Sequence, residues 1–335
     1  MMVAVLMAAA VLTLPRGPGE AAAKPKPQQP TMLGTTQLPG QWAAFGKTYT
    51  LGKSSPWNFT LLRAEFACGR VKIGPKSFVP DAQTKLLVLH YTVQNPRKTE
   101  RGYGWADISF TAVDAEDTNH EFCEEVGNEK DSSSVSVDLK PAQKLACYTL
   151  IEVPAKGPVP KLIVQGNDNL VLRYDLRGKV ARLPPPYADP ADETGVSALA
   201  EVPAEVGVYY PTGTFDMKVT GFTHTTESLG DEDPPEGGRF LVIHLTVKNP
   251  QAKEQEFSWG DLDPEVRTSD GDRIPYNEEL LHRTRNESAS LELRPGEEQG
   301  VRVYFALPPD TQAQTFTLRE DEDKRAFVYQ VTAGD

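Results

Sequence analysis

Two histidines, His90 and His244, could bring acid–base or metal chemistry to this chain. They occupy the same place in two similar stretches, LLVLHYTVQNP at 86–96 and FLVIHLTVKNP at 240–250. Imidazole serves as a general base or a metal ligand near neutral pH. One histidine per stretch does not make a metal site, because protein Zn²⁺ sites use three or four protein ligands. We therefore interpret both histidines as residues of a solvated or partly covered sheet face.

A second pair of candidates is aromatic. Trp105 and Trp259 also occupy equivalent places, and each is followed two residues later by an aspartate. Exposed, they would form platforms for a sugar ring or a partner protein. Buried, each would fill the core of its own copy. Core or edge packing is the favoured interpretation, because a repeated core predicts one large aromatic residue per copy. The two residues remain the candidates for a partner surface.

Carboxylates in the second half of the chain could bind Ca²⁺, which takes six to eight oxygen ligands. The candidates are Asp231 and Asp233 in one stretch and Asp270 and Asp272 in another. None of them has the spacing of a known Ca²⁺ loop, so solvated loops are the favoured interpretation. We assign no metal and no cofactor to the chain.

Catalytic motifs are missing from the sequence. It contains no nucleophile elbow, P-loop, zinc-protease or paired-cysteine redox motif, and its five histidines do not cluster along the chain. We predict that the protein is not an enzyme. Its net charge of −12 argues against a general nucleic-acid binder, since phosphates must be met by lysine and arginine.

Three cysteines, Cys68, Cys123 and Cys147, all lie in the first half of the chain. In an exported protein two of them could pair. A Cys123–Cys147 bond would close a loop worth about 3 kcal/mol in the chain-entropy model. Three pairings, or three free thiols, all remain open at this point.

The residues named above belong to a repeat with a constant offset of 154 positions. Between residues 86 and 154, 17 positions are identical in the two copies, against about 4 expected from average composition. The chain is therefore two copies of one module. Residues 41–177 carry 17 basic and 16 acidic side chains, whereas residues 204–335 carry 13 and 26, a net charge of −13.

Each copy shows the period-two alternation of half-buried strands. Six to eight short strands per module, separated by turn residues and without an amphipathic helix, predict an all-β fold of two antiparallel sandwiches. We predict strands at 105–113 and 259–267. The turn after them should differ between the copies, because Asp270-Gly271 has no counterpart in the first.

The remaining segments complete the predicted organisation. An apolar run at 2–14 followed by Ala21-Ala22-Ala23 is typical of a secretory signal, and no other apolar run is long enough to span a membrane. The predicted segments are a signal peptide (1–23), a disordered Pro/Gln-rich tether (24–40), the first module (41–177), a stiff Pro-rich linker (178–203) and the acidic second module (204–335).

The modules resemble a family of uncharacterised bacterial immunoglobulin-like domains found in exported proteins and lipoproteins, related in fold to a secreted mycobacterial antigen. The resemblance is carried by LTVKNP at 245–250, by the turn at Asp270-Gly271 and by LELRPGEEQGVRVYFALP at 291–308. It covers both modules and is stronger in the second. It implies two immunoglobulin-like sandwiches in a secreted or cell-envelope protein, and it supplies no catalytic residues.

These observations predict an exported, non-enzymatic binding or structural protein. Its partner would be a protein or glycan at the cell exterior, with no nucleic acid and no membrane span in the mature chain. The alternative is a Ca²⁺-dependent adhesion or carbohydrate-binding module that uses the acidic second copy.

Overall fold

The computed structural model describes residues 40–167 and 170–331. The predicted signal peptide and all but the last residue of the predicted tether lie outside these ranges. The described residues form one compact unit. They are built from 27 strands and two single-turn 3₁₀ segments, Trp105–Asp107 and Trp259–Asp261.

The first module contains fifteen of these strands, formed where β-branched and aromatic residues alternate with polar ones. They are β1 (Gly40–Ala43), β2 (Tyr49–Leu51), β3 (Trp57–Ala67), β4 (Val71–Ile73), β5 (Lys76–Phe78), β6 (Thr84–Gln94), β7 (Arg101–Gly104), β8 (Ile108–Val113), β9 (Asn119–Glu121), β10 (Gly127–Asn128), β11 (Ser136–Leu139), β12 (Lys144–Pro154), β13 (Lys161–Gly166), β14 (Val171–Asp175) and β15 (Val180–Ala181).

Two sheets of the first module, β1-β14-β13-β8-β9 and β10-β12-β6-β3-β15, enclose its core. Phe59, Leu89 and Ile151 project into the core from the second of these sheets, and Phe110 and Val164 from the first. Alternate residues of each strand face the other way, as the pleat requires. The ribbon β7–β11 and the hairpin β4–β5 are additional pairs of strands.

The second module repeats this arrangement with fewer strands. They are β16 (Glu201–Pro203), β17 (Tyr210–Pro211), β18 (Asp216–Thr225), β19 (Arg239–Lys248), β20 (Gln255–Phe257), β21 (Glu265–Thr268), β22 (Arg273–Ile274), β23 (Leu281–His282), β24 (Leu291–Leu293), β25 (Glu298–Leu307), β26 (Ala313–Leu318) and β27 (Ala326–Gln330). Its sheets are β16-β27-β26-β21-β22 and β17-β18-β19-β25-β23, with the ribbon β20–β24 beside them. A separate apolar core lies between the two sheets.

The predicted fold class, an all-β chain of two tandem immunoglobulin-like sandwiches, is confirmed. Most strand pairs are antiparallel, but β1, β15 and β16 pair in parallel with β14, β3 and β27. The strands predicted to start at Trp105 and Trp259 start later, at Ile108 and Glu265, because the tryptophans lie in the 3₁₀ turns.

The hairpin turns β8–β9 and β21–β22 are alike, so the expectation that they differ is wrong. The N–H of Asp117 donates to Asp114 O over 3.3 Å, and the N–H of Gly271 donates to Thr268 O over 3.1 Å. Asp117 adopts φ +60°, close to the +88° of Gly271. Aspartate tolerates this left-handed conformation better than most side chains do, so it replaces the glycine here.

The asparagine of each Asn-Pro motif is buried and forms three hydrogen bonds to the backbone, an arrangement that we call the asparagine bracket. The amide of Asn95 donates to the carbonyls of Thr99 and Leu139, each over 2.8 Å, and its Oδ1 accepts the N–H of Arg97 over 2.9 Å. Asn249 is also fully buried and makes the same three bonds. Its partners are the carbonyls of Lys253 and Leu293 and the N–H of Gln251, at 2.7–2.8 Å.

The Pro-rich segment at 178–203 is not the extended spacer that its prolines predict. Its ends form β15 and β16, which join the sheets of the first and the second module. Leu183 and Ala198 are buried in the first core, and Tyr187 packs against both cores. Burial of these apolar side chains outweighs the intrinsic preference of the prolines for an extended chain.

A buried arginine joins the two modules. Arg325 precedes β27 and is only 2% exposed. It donates to the carbonyls of Asp81 and Thr84 in the first module, over 3.0 and 2.6 Å, and contacts the carbonyl of Leu199. Beside it, Lys324 Nζ lies 2.5 Å from Asp81 Oδ1.

A second arginine crosses the interface in the opposite direction. The guanidinium of Arg70 donates to Asp216 Oδ1 and to the carbonyls of Gly213 and Phe215, each over 2.9 Å. It also donates to Ser77 Oγ in its own module over 2.8 Å. Such hydrogen bonds with fixed geometry define one relative placement of the two sandwiches.

Candidate functional site

Trp105 and Trp259 are half-exposed, at 47% and 49%. Of the favoured interpretation, core or edge packing, the structure excludes burial in the cores. The aromatic residue two positions earlier, Tyr103 or Phe257, is buried instead. The 3₁₀ turn breaks the period-two pattern, so the tryptophan and the earlier ring do not share one face.

An aspartate holds the first tryptophan turn in place. Asp107 Oδ1 accepts hydrogen bonds from Trp57 Nε1 over 3.1 Å and from Arg101 over 3.0 Å, and Oδ2 accepts the N–H of Gly104 over 2.9 Å. Trp57 packs edge-on against Tyr103, with 5.1 Å between ring centroids. Trp105 is thus carried on a turn anchored to the core.

The second turn is built the same way with fewer contacts. Asp261 Oδ2 accepts the N–H of Ser258 over 2.7 Å and its hydroxyl over 3.1 Å. Phe215 packs edge-on against Phe257 at 5.0 Å, as the two equivalent rings do in the first module. The same device therefore presents one tryptophan to solvent on each sandwich.

A groove of about 440 Å³ opens beside Trp259. Asp263 accepts from Arg319 Nε over 2.7 Å, and Arg273 lies 3.2 Å from Glu265. Burial raises the pKa of the Tyr276 hydroxyl, which therefore stays protonated and donates to a backbone carbonyl. Aromatic and charged side chains share its walls with a proline: Trp259, Asp263, Arg273, Pro275, Tyr276 and Glu278.

His90 lies in a covered, charge-compensated site on the outer face of β6. Its Nε2 is 3.2 Å from Glu65 Oε1, and its Nδ1 contacts Glu129 and lies 3.1 Å from Arg63 Nη2. Tyr148 stacks on the imidazole at 6.0 Å. The ring is only 6% exposed, so the interpretation as a covered sheet-face residue describes it well.

His244 lies in a groove of about 540 Å³ on the outer face of β19. Its Nε2 is 2.9 Å from Thr223 Oγ1. Burial, with the positive charges of Arg302 and Arg283, lowers the pKa of this imidazole. The two equivalent histidines thus have opposite electrostatic surroundings.

The carboxylates proposed for Ca²⁺ lie in two separate loops. Asp231 and Asp233 belong to the connection between β18 and β19, where Asp233 accepts from Ser228 Oγ over 2.5 Å. Asp270 and Asp272 belong to the β21–β22 hairpin of the other sheet. Among the described residues, no three or more His, Cys, Asp or Glu side chains are placed to hold a metal ion.

The three cysteines are free thiols, so the suggested Cys123–Cys147 bond is absent. The N–H of Cys123 donates to Leu150 O, which places Cys123 about 10 Å along β12 from Cys147. A disulfide spans at most about 7 Å between Cα atoms. Burial raises the pKa of Cys147 to about 12, so its thiol stays protonated. The thiol of Cys68 is buried as well.

Helical structure in residues 40–167 and 170–331 is limited to short turns, and none offers a segment with the length and apolar character of a membrane span.

Comparison with proteins of known sequence found one family. Residues 205–324 match a family described as a domain of unknown function, DUF4352. A comparison with curated proteins found no match.

Several solved structures are similar to parts of the chain. A β-sandwich protein from Clostridium difficile has 12% identity and a TM-score of 0.33, covering 44% of this chain and 99% of its own. The secreted protein MPT63 from Mycobacterium tuberculosis has 13% identity and a TM-score of 0.29, covering 39% and 97%. The yjhA protein from Bacillus subtilis has 11% identity and a TM-score of 0.28, covering 38% and 99%. The match of residues 205–324 confirms, for the acidic second module, the resemblance inferred from the strand and turn motifs.

Proposed function

We propose that this protein is an exported, non-enzymatic binding protein whose two immunoglobulin-like modules engage glycans of the cell envelope. The observation that carries the proposal is the pair of half-exposed tryptophans, Trp105 and Trp259, on equivalent anchored turns. Complete burial of a large apolar side chain contributes about 1.5–3 kcal/mol, so a half-exposed tryptophan on an ordered turn forgoes roughly half of that. Exposure at both copies therefore favours a role in recognition.

The groove beside Trp259 favours a sugar over a flat protein surface. An indole ring offers an apolar face to the C–H side of a sugar ring, while nearby charged groups can hydrogen-bond its hydroxyls. Asp263, Arg273 and Glu278 are charged groups in that position. A volume of about 440 Å³ falls in the range of small-ligand sites.

The proposals of export and of binding without turnover rest on the sequence. The apolar run at 2–14 followed by three alanines supports a secretory signal. The sequence has no recognised catalytic motif, so we infer binding without a chemical step.

Sedimentation of the full chain with purified cell-wall glycan tests the proposal. We expect Trp105→Ala and Trp259→Ala each to weaken binding about ten-fold, since central aromatic contacts contribute about 1–2 kcal/mol or more. Trp42→Ala is the matched control. Like the other two tryptophans Trp42 is exposed, at 65%, but it lies on an edge strand and not on a 3₁₀ turn.

Three outcomes would contradict the proposal. The first is equal loss in Trp42→Ala, which would indicate nonspecific adhesion. The second is capture of a secreted protein, with no glycan, through the same two tryptophans. The third is release of glycan fragments that a single substitution abolishes, which would make the protein an enzyme.

A further inference from the structure

We propose that the groove around His244 on the second module is a binding site for an oxyanion, the phosphate or carboxylate group of a small ligand. This site lies apart from the Trp259 groove, with which it shares no lining residue.

The first argument is the pairing register around the two histidines. Both β3 and β18 have a β-bulge just before the residue that pairs with the histidine. In the first module that residue is Arg63, whose guanidinium reaches His90. In the second module it is Gly221, which pairs with His244 and has nothing within 4 Å of the position a Cβ would take. The space that an arginine fills in one module is open in the other.

The second argument is a more positive charge at two further positions. Glu129, which contacts His90, corresponds to Arg283 at the constant offset of 154 residues. Tyr148, which stacks on His90, pairs with it across the sheet as Arg302 pairs with His244. His90 is thus contacted by two carboxylates, whereas His244 lies near two guanidinium groups.

The third argument is that the cations near His244 form no ion pairs. Lys218, Arg283 and Arg302 form no ion pair within 4 Å in the part of the chain that the structure describes. Other arginines of this acidic module, such as Arg267 and Arg319, are paired with carboxylates. Of these, Lys218 and Arg283 line the groove. Arg302 lies outside its lining, and its guanidinium donates to the carbonyls of His282 and Arg285 and to Asn286 Oδ1. Two cations without an ion pair in one groove, in a module of net charge −13, match an anionic ligand.

The fourth argument is the supply of hydrogen-bond donors. Thr223 and Thr246 line the groove with hydroxyl groups that can donate to an oxyanion. The hydroxyl of Thr220 also lies in the groove, but it already donates to His244 O over 3.2 Å. Arginine adds the paired N–H groups that suit phosphate and carboxylate. Glu298 also lines the groove, but it accepts the hydroxyl of Tyr209 over 2.6 Å. The volume of about 540 Å³ accommodates a small molecule that bears the anion.

The imidazole gives the site a spectroscopic reporter. Burial and the charges of Arg302 and Arg283 keep its pKa low in the free protein. The groups that face it are Lys218 and Thr223 from β18, Arg302 and Glu298 from β25, and Arg283 after β23. A bound anion offsets the positive charges, so the pKa of His244 rises on binding and protons are taken up.

Titration of the full chain with inorganic phosphate, and separately with citrate, tests the site. Histidine NMR signals and calorimetry are recorded at constant ionic strength, with chloride as the balancing anion. We expect a saturable shift of the His244 signals by one probe or both. Preference for phosphate identifies a phosphoryl group as the ligand's anion, and preference for citrate identifies a carboxylate.

Substitutions with matched controls complete the test. Arg283→Glu restores the charge found in the first module, and we expect it to weaken binding at least about ten-fold, because it removes a charge-assisted hydrogen bond to the anion. Arg294→Glu makes the same charge change on an exposed turn and should leave binding unchanged. The combination Gly221→Arg, Thr223→Glu and Arg283→Glu copies an arrangement that already folds around His90, and it should abolish binding with the fold intact.

Two results would overturn the inference. One is a His244 shift produced equally by chloride. The other is equal weakening by Arg294→Glu and Arg283→Glu, which would indicate a general charge effect. Trp259→Ala should retain anion binding, so a failure of this site and a failure of the glycan proposal are distinguishable.

Discussion

The histidines of the two modules occupy equivalent strand positions, but His90 is covered by neighbouring side chains and His244 lines a groove. Around His90, Glu65, Glu129 and Arg63 complete a compact network. Around His244 the corresponding positions carry threonine, arginine and glycine, and a groove remains. The comparison separates two kinds of duplicated residue. The buried asparagine brackets are identical because the fold uses them, whereas the outer sheet face is free to diverge.

The largest expected effect concerns the buried asparagines that the two modules share. Asn95→Ala and Asn249→Ala each remove three hydrogen bonds, one of which is the buried bond to the carbonyl of Leu139 or Leu293. We expect each to lower the free energy of unfolding by about 3 kcal/mol, as measured by urea denaturation. A much smaller loss in one module would show that the bracket is not a common structural requirement.

The next largest effect concerns the independence of the modules. Arg325→Met removes the donors that join β27 to Asp81 and Thr84. We expect a loss of about 2 kcal/mol, because the lost bonds outweigh the relief of burying a cation. Calorimetry should show one transition in the parent chain and two in the variant. Two transitions in the parent chain would contradict this coupling.

A smaller pair of effects distinguishes the turns before β12 and β25. Ala142 adopts φ +62° where the second module has Gly296 at φ +79°. The left-handed conformation costs alanine about 1–2 kcal/mol, while glycine has the larger entropy in the unfolded chain. We expect Gly296→Ala to destabilise and Ala142→Gly to stabilise, each by about 0.5–1 kcal/mol in urea denaturation. Changes of the same sign would refute the strain argument.

The smallest effect is a pH dependence confined to the second module. The folded-state pKa of His244 is lowered, so between that value and about 6.5 the unfolded chain binds more protons than the native one. Its contribution to stability is therefore complete above pH 6.5 and declines as the pH falls through this window. His244→Gln should flatten the decline in denaturation curves measured from pH 5 to 7.5. An unchanged slope would indicate that other groups cause it.

The sequence predicts the repeated core well and the surface poorly. Alternation along 86–94 and 240–248 identifies the central strands, because the pleat couples residue parity to burial. The strands β13 and β26 were not predicted, although Leu162 and Val164 in β13 alternate with less buried residues. Core packing was the wrong prediction for Trp105, because the 3₁₀ turn at Trp105–Asp107 breaks the alternation of the strand and leaves the tryptophan half-exposed. A comparison of Glu129 with Arg283 at the fixed offset would have indicated the charge reversal, but not that both lie beside a histidine.

The arginine-bridged interface has a consequence for any polymeric ligand. Because Arg325 and Arg70 hold the sandwiches in one placement, the separation of Trp105 and Trp259 is set by the protein and not by a flexible chain. When one tryptophan has bound the polymer, the other encounters the next part of the same polymer at an effective concentration determined by that separation. A glycan whose repeat matches the spacing would therefore bind with avidity, and a mismatched one would bind through a single module.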